Sequence, residues 1–499
     1  MGAKALMVQG TGSYVGKSLI TTALCRIFYQ DGFKVAPFKA QNMSLNSSAT
    51  PDGREIGRAQ AVQAEACGIA PTSDMNPILL KPMGDSGCQV VLHGRPYMNL
   101  SAKRYYKETL WKAVRESFER LRERCDVIVM EGAGSPAEVN LREDDIVNMR
   151  MAKYAEAPVL LIGDIDRGGV FAWIVGTLEL LQEDERELVK GLLINKFRGD
   201  MSLLKPGLEF LERKTGKRVL GVVPYIRDLK VQEEDSVVLD GFKASRRKAE
   251  VEIAVLRLPR ISNFTDFDPL LSERDISLRY VTSPDELECA DIIVIPGTKN
   301  TIYDLLFLKE RGLSEKILEK RKDGAMVIGI CGGFQMLGKE IRDLYGVESE
   351  RRAEEGLGLL DVVTTFTREK ATYRAKARVL RGTPYLNEGE LLEGYEIHMG
   401  ETEARTYLFE LSRESGGKAY DGVSSEDGLV FGTYLHGIFD NVTFRRRLLN
   451  FVRRRKGLPE LPPCDLNPEL ERQREYDRVA EVVRNSVDVD FIYRLLGIR

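Results

Sequence analysis

The feature that most constrains this chain lies at its start. A short apolar run, residues 5–9, leads into Gly10-Thr11-Gly12-Ser13-Tyr14-Val15-Gly16-Lys17-Ser18, and a helical pattern takes over across 17–30. Strand, glycine-rich loop, Gly-Lys-Ser and helix occur in the order that a phosphate-binding loop needs. Glycines let backbone N–H groups turn inward around phosphate oxygens, and the helix N-terminus adds favourable partial charge. In the common pattern a glycine stands five residues before Gly16. Here Thr11 occupies that place and Gly10 lies one further back, so the loop is the longer variant. The spacing predicts ATP contacts from Gly10, Thr11, Gly12, Ser13, Val15, Gly16, Lys17 and Ser18. Lys17 would reach the terminal phosphates and the Ser18 hydroxyl would hold Mg²⁺.

Such a loop belongs at the edge of a parallel sheet, and the sequence supplies more strands for one. Apolar runs without polar alternation, suited to strands buried on both faces, recur at 34–38, 126–131, 158–164, 191–196 and 219–225. Residues 104–124 read as a charged, amphipathic helix between strands. The polar, basic stretch around 241–250 reads as a linker. A second α/β series follows at 251–258, 276–281, 291–296 and 325–330. Beyond about 356 the pattern shifts to alternating strands such as 371–381 and 429–435, which suggest an antiparallel extension on a mixed sheet. The tail from 451, rich in Arg and Glu, reads as solvated helices. The expected organisation is α/β in two domains: an N-terminal parallel sheet of phosphate-loop type over 1–240, a linker over 241–250, a mixed-sheet domain over 251–450, and a charged helical extension over 451–499. A length of 499 residues suits this division.

Composition narrows the function. The formal net charge of −3 gives a nucleic-acid partner no electrostatic support. No apolar run reaches the roughly 18 residues of a membrane span. Seven cysteines, scattered and without a CxxC pair, argue against a disulfide framework or a structural zinc site and for a reducing, cytoplasmic setting. The oligomeric state is open, and a homo-oligomer is compatible with the sequence.

Polar residues cluster at the predicted C-terminal ends of the first set of strands, the edge where parallel sheets bind ligands. Glu131 is a candidate metal ligand. Asp164 and Asp166 add carboxylates, Asn195 an amide that could read adenine, and Lys39 a cation for phosphate or substrate. In the second half, an apolar strand runs into Cys331-Gly332-Gly333 and then a helix. A cysteine at a sharp strand-to-helix turn is exposed to substrate and placed to act as a thiolate nucleophile. Gly332, with Gly297 or Thr298 from the loop after an earlier strand, would supply oxyanion-binding amides. Of three histidines, His436 ends a strand and is the expected base; His398 is the alternative, and His93 lies in the other half.

These residues carry a family resemblance. The phosphate loop resembles that of dethiobiotin synthetase and its relatives, which phosphorylate carboxylates. The Pro296-Gly297 loop, the Cys331 turn and His436 resemble class I (triad-type) glutamine amidotransferases. One departure stands out: the usual triad places Glu two residues after the histidine, and Ile438 is there instead. The branch that amidates cobyrinic acid shares that absence, which leaves the orientation of the imidazole without an assigned partner. Across 1–451 the chain resembles the cobyric acid synthase family of cobalamin biosynthesis. The most specific stretches are 38–47, 76–82, 164–169 and 394–400.

The resemblance implies amidation of the b, d, e and g carboxylates of adenosylcobyrinic acid a,c-diamide, driven by ATP with Mg²⁺ and fed by ammonia from glutamine. Gln41, Asn42 and Lys81 are the candidate corrinoid contacts, joined by Lys39, Asp164 and Asp166. Two rival readings remain at this point. One is the sister cobyrinic acid a,c-diamide synthase or a related carboxylate amidase. The other is a nucleotide-switch ATPase with a non-catalytic amidotransferase-like half.

Overall fold

A computed structural model of the chain describes residues 2–83, 87–101, 107–232, 234, 239, 249–463 and 467–498. Strand β1 (Lys4–Gly10) passes through the phosphate loop into helix α1 (Lys17–Gln30), and β2 (Val35–Phe38) follows. The chain then leaves the sheet for an insertion. It comprises β3 (Gln41–Met43), a pair formed by β4 (Ser47–Ala49) and β5 (Glu55–Gly57), helix α2 (Arg58–Ala66), and β6 (Ile78–Pro82), β7 (Gly87–Leu92) and β8 (Arg95–Ser101). Strands β9 (Val127–Glu131), β10 (Val159–Asp164), β11 (Val189–Phe197) and β12 (Val219–Pro224) complete a six-stranded parallel sheet in the order β12-β11-β10-β1-β9-β2. Each strand predicted for the first half lies in this sheet. The predicted helix over 104–124 is present as Lys107–Arg122; residues 104–106 lie outside the described residues.

The insertion is absent from the sequence reading for a physical reason. Its first strands, β3 to β5, are three residues each and carry Asn, Ser and Gln, so no periodic apolar signal marks them, and β6 and β7 are short apolar runs without alternation.

Most of the linker expected at 241–250 falls outside the described residues. The second half begins with β13 (Val251–Leu256), β14 (Ile276–Val281), β15 (Ile292–Ile295) and β16 (Met326–Ile330). It continues through β17 (Glu340–Arg342), β18 (Ala353–Glu355), β19 (Val362–Val379), β20 (Leu391–Ala404), β21 (Phe409–Arg413), β22 (Lys418–Asp421), β23 (Val423–Ser424) and β24 (Val430–Thr433). Two sheets result. One is mixed, ordered β14-β13-β15-β16-β24-β23, with only β23 antiparallel to its neighbour. The other holds β17 to β22, with the long β19–β20 antiparallel ribbon at its centre. The expected antiparallel extension is therefore corrected. The stretch 371–381 belongs to the second sheet, and 429–435 supplies β24, fully buried and parallel to β16.

The tail is also corrected. Helix Val442–Arg455 crosses the expected boundary at 450, and helices Pro468–Ser486 and Val489–Leu496 are not solvated on all sides. Tyr476, Val479, Ala480 and Val483, spaced as one helical face, are buried. Val479, Ala480, Val483, Ile492, Tyr493 and Leu496 share a core with Leu24, Ile27 and Phe28 of α1. Arg26–Asp477 (2.7 Å) and Arg484–Asp31 (3.0 Å) pin the rim. The dense charge of this segment hid a narrow apolar stripe. The C-terminal end thus clasps the N-terminal sheet. No helix among the described residues is long and apolar enough to cross a membrane.

Candidate active site

Four adjacent parallel strands of the second half, β13, β15, β16 and β24, deliver Asp266, Gly297, Cys331 and His436 from the loops after their C-terminal ends. Cys331 follows the buried β16 and takes φ 54°, ψ −111°, a conformation that L-residues rarely adopt. The following helix, Gly332–Leu337, packs so tightly on β15 that a Cβ on Gly333 would lie 1.9 Å from the Ile295 carbonyl oxygen. This close packing holds the sharp turn. Thr298 and Gly332 adjoin each other beside the sulfur: a Cβ on Gly332 would lie 3.2 Å from the Thr298 amide nitrogen. Gly297 packs against the imidazole, where a Cβ would lie 3.2 Å from His436 Cε1.

His436 is 1% exposed, and its Nδ1 lies 2.6 Å from Asp266 Oδ2. Asp266 Oδ1 accepts from the Gly437 amide at 3.1 Å and from the Tyr395 hydroxyl at 3.4 Å. The Tyr395 ring stacks on the imidazole at 5.2 Å and 17°. Burial alone would disfavour the imidazolium, but the Asp266 carboxylate and the Cys331 sulfur outweigh it and bring His436 up to about 10. A protonated imidazole beside a sulfur nucleophile is equipped to hand a proton to a leaving amine.

Asp266 was missed in the sequence. It stands 170 residues before His436, so no local spacing joins them. The available signal was its place just past β13, on the ligand-binding edge. His398, the alternative base, instead hydrogen-bonds Glu396 Oε1 (3.2 Å) and the Gly400 carbonyl (3.0 Å) and stacks on Tyr434. His93 adjoins Ser117 in the other half.

A cavity of about 40 Å³ at Cys331 is lined by Lys299, Glu348, Gln335 and His398 among others. Burial pushes Glu348 up to about 7 against the pull of Lys299, and burial lowers Lys299. A carboxyl and an amine lining the same cavity complement the two charges of an amino acid.

In the first half, a cleft of about 1410 Å³ opens over the phosphate loop. Gly16 adopts φ 98°, and a Cβ there would meet the Asn195 amide at 2.1 Å. Lys17 Nζ donates to the Gly12 and Gly134 carbonyls at 2.7 and 2.9 Å. Glu131 is 1% exposed and accepts from Ser18 Oγ (2.8 Å), Lys39 Nζ (2.9 Å) and Gln63 Nε2 (2.7 Å). Burial alone would raise this carboxyl, but Lys39 and the bonds from Gln63 and Ser18 hold it below the usual range.

Ser13, Gln41, Asn42, Asp164, Asp166 and Asn195 line the same cleft. Asn195 Nδ2 donates to the Val15 carbonyl at 2.9 Å, which braces the loop at the wall of the cleft. Asp164 pairs with Lys196 (2.8 Å) and Asp166 with Arg198 (2.9 Å). Lys81 stands apart from the other substrate candidates: it lines the Cys331 cavity, ion-paired with Glu55, not the cleft. The strand period is the reason. Leu80 and Pro82 of β6 face the cleft, so Lys81 points to the opposite side.

The comparisons agree with this two-part construction. Residues 6–238 match the CobQ/CobB/MinD/ParA nucleotide binding domain, and residues 252–444 match the CobB/CobQ-like glutamine amidotransferase domain. Fold and sites together define a glutamine amidotransferase joined to a nucleotide-binding domain. Cobyric acid synthase of Dehalococcoides mccartyi (strain CBDB1) is 52% identical over 507 residues, covering 100% of both chains. That of Caldanaerobacter subterraneus subsp. tengcongensis is 53% identical over 502 residues, covering 98% of both, and that of Clostridium tetani is 49% identical over 499 residues, covering 99% of both. The chain belongs to the cobyric acid synthase family, the glutamine-dependent amide-forming enzymes of cobalamin biosynthesis.

Proposed function

We propose that this chain amidates the b, d, e and g carboxylates of adenosylcobyrinic acid a,c-diamide, each cycle consuming one ATP and one glutamine. The observation that carries the reading is the pairing of two sites in one chain, Cys331–His436–Asp266 and Ser18–Glu131–Lys39, beside a cleft roomy enough for a nucleotide and a macrocycle.

A carboxylate is a poor electrophile, and phosphorylation by ATP makes it an acyl phosphate that ammonia can attack. Amides of the phosphate loop and the Lys17 ammonium oppose charge on the transferring group. Lys39, held by Glu131, adds a second cation at the same edge. The Ser18 hydroxyl and the Glu131 carboxylate, 2.8 Å apart, are hard oxygen donors that fit Mg²⁺. No group of three or more His, Cys, Asp or Glu suited to a metal occurs among the described residues. One or two protein oxygens suffice for Mg²⁺ that also binds phosphates. When bound, Mg²⁺ supplies charge neutralisation at the phosphates.

At the second site, the glutamine α-carboxylate meets Lys299 and its α-ammonium meets Glu348. The Cys331 sulfur attacks the side-chain amide, and the amides of Thr298 and Gly332 receive the oxyanion. His436, oriented by Asp266, protonates the leaving ammonia and then activates water to release glutamate. Asp266 fills the role left open by Ile438.

The test is product mass after incubation with ATP, Mg²⁺, glutamine and adenosylcobyrinic acid a,c-diamide. A species with four carboxyls converted to amides, with ADP and glutamate formed in step, is expected. An unchanged corrinoid despite glutamine hydrolysis would refute this substrate. The same incubation with cobyrinic acid tests the a,c-diamide alternative.

A further inference from the structure

The glutaminase centre contains a side chain from the other half of the molecule. Arg58, the first residue of α2, is buried. Its Nη2 donates to the Ser47 carbonyl (2.9 Å) and to the Tyr395 hydroxyl (2.5 Å), and its Cζ lies 5.3 Å from the Tyr395 ring centroid. Tyr395 stacks on His436, reaches Asp266 through its hydroxyl, and exchanges two backbone hydrogen bonds with His436 at 3.1 and 2.8 Å. The ring that flanks the imidazole is therefore gripped by a guanidinium of the nucleotide-binding half. Arg58 does not line the Cys331 cavity, so it touches neither sulfur nor substrate there. The same helix carries Gln63, which hydrogen-bonds Glu131 behind the phosphate loop. Five residues of helix, about 7.5 Å of rise, separate the two contacts.

We propose that Arg58 is a positioning residue of the glutaminase centre, supplied by the nucleotide-binding half and acting through Tyr395 on the His436–Asp266 pair. Helix α2 then joins the two centres as a single rigid element. The proposal rests on the glutaminase reading of Cys331 and His436 and deepens it: the second half alone presents an incomplete site. The charged and titratable groups about His436 and Tyr395 are Asp266, Cys331, Arg58 and Asp440. Of these Arg58 is the one fixed cation, and it disfavours a second positive charge on the imidazole.

The experiment compares the full-length wild type with Arg58→Met, Arg58→Lys, Tyr395→Phe and Cys331→Ala. Glutaminase kcat and KM, its pH profile, and amidation driven by ammonium chloride are measured for each. Arg58→Met and Tyr395→Phe are expected to lower glutaminase kcat roughly tenfold, as loss of a group that orients a functional histidine does. KM for glutamine and ammonia-driven amidation should stay within about twofold of wild type. The alkaline limb in Arg58→Met should move up by roughly half a unit, because the imidazolium loses a cationic neighbour, and Arg58→Lys should restore it in part. Tyr395→Phe keeps the ring stack, so it remains informative if Arg58→Met folds poorly. Unchanged kcat and pH limb in both variants would overturn the proposal, as would equal losses in the glutamine-driven and ammonia-driven reactions. If the wild type shows no Cys331-dependent glutaminase, the underlying reading falls with it.

Discussion

Around Cys331 the protein leaves a cavity of about 40 Å³, whereas the cleft over the phosphate loop opens to about 1410 Å³. The small site is held by a strained backbone turn and a buried, stacked network. The large one presents loop amides and strand-end side chains to an open space. On the proposed reading one small amide is cleaved at the first, so the imidazole can be held in advance by Asp266 and the Tyr395 ring. On the same reading a nucleotide and a macrocycle with several carboxylates share the second, and room takes precedence over enclosure. Polar groups follow the same division. His436 and Asp266 satisfy each other inside protein, while Asp164 and Asp166 pair with Lys196 and Arg198 along the cleft wall.

The comparison can be broken by separating the two chemistries. Cys331→Ala should lower glutamine-driven amidation by ~10⁴-fold or more while ammonia-driven amidation survives; parallel assays with the two nitrogen sources check this. Loss of both would show that the sites are not separable. Lys17→Ala is the mirror image. It should reduce amidation from either nitrogen source by ~10³-fold and leave glutamate release measurable.

Asp266→Asn sharpens the contrast within the small site. Steady-state glutaminase kcat should fall by roughly 10²-fold or more, because the imidazole loses the partner that fixes its tautomer and supports its charge. A pH dependence of stability follows from the same pair. The folded pKa of His436 is raised from 6.5 to about 10, so its contribution is fully present below about 6.5 and is lost as pH rises through about 10. Urea midpoints of wild type and Asp266→Asn should therefore differ most at acidic pH and converge in strong alkali.

The smallest effect is expected from the clasp. Val483→Ala, in the helix docked on α1, should cost about 1–2 kcal/mol by denaturant unfolding. It should leave Cys331-dependent glutamate release unchanged, since that helix packs on the nucleotide-binding half.

What the sequence disclosed follows this division of signals. The parallel sheet was legible because its strands are buried on both faces and unbroken by polar residues. The phosphate loop and the Cys331 turn were legible because backbone geometry demands glycine at close-set positions. Asp266, Arg58 and Tyr395 were not. Asp266 meets His436 across 170 residues and Arg58 meets Tyr395 across 337, and although Tyr395 lies in the 394–400 stretch, nothing there shows that its ring meets His436. That Lys81 faces the Cys331 cavity and not the cleft is likewise invisible in the sequence, because the direction of β6 is set by its pairing with β3 and β7. The tail reads as solvated because arginines and glutamates outnumber the apolar residues that dock it.

For glutamine to feed the acyl phosphate, nitrogen must pass from the Cys331 site to the phosphate-loop cleft. The most direct test of this transfer supplies [amide-¹⁵N]glutamine together with excess unlabelled ammonium at low pH, where bulk ammonia is protonated, and reads the isotope content of the corrinoid amides. Nearly complete ¹⁵N in the new amides is expected if ammonia passes within the protein from Cys331 to the acyl phosphate. An isotope content matching the bulk ammonium pool would contradict it.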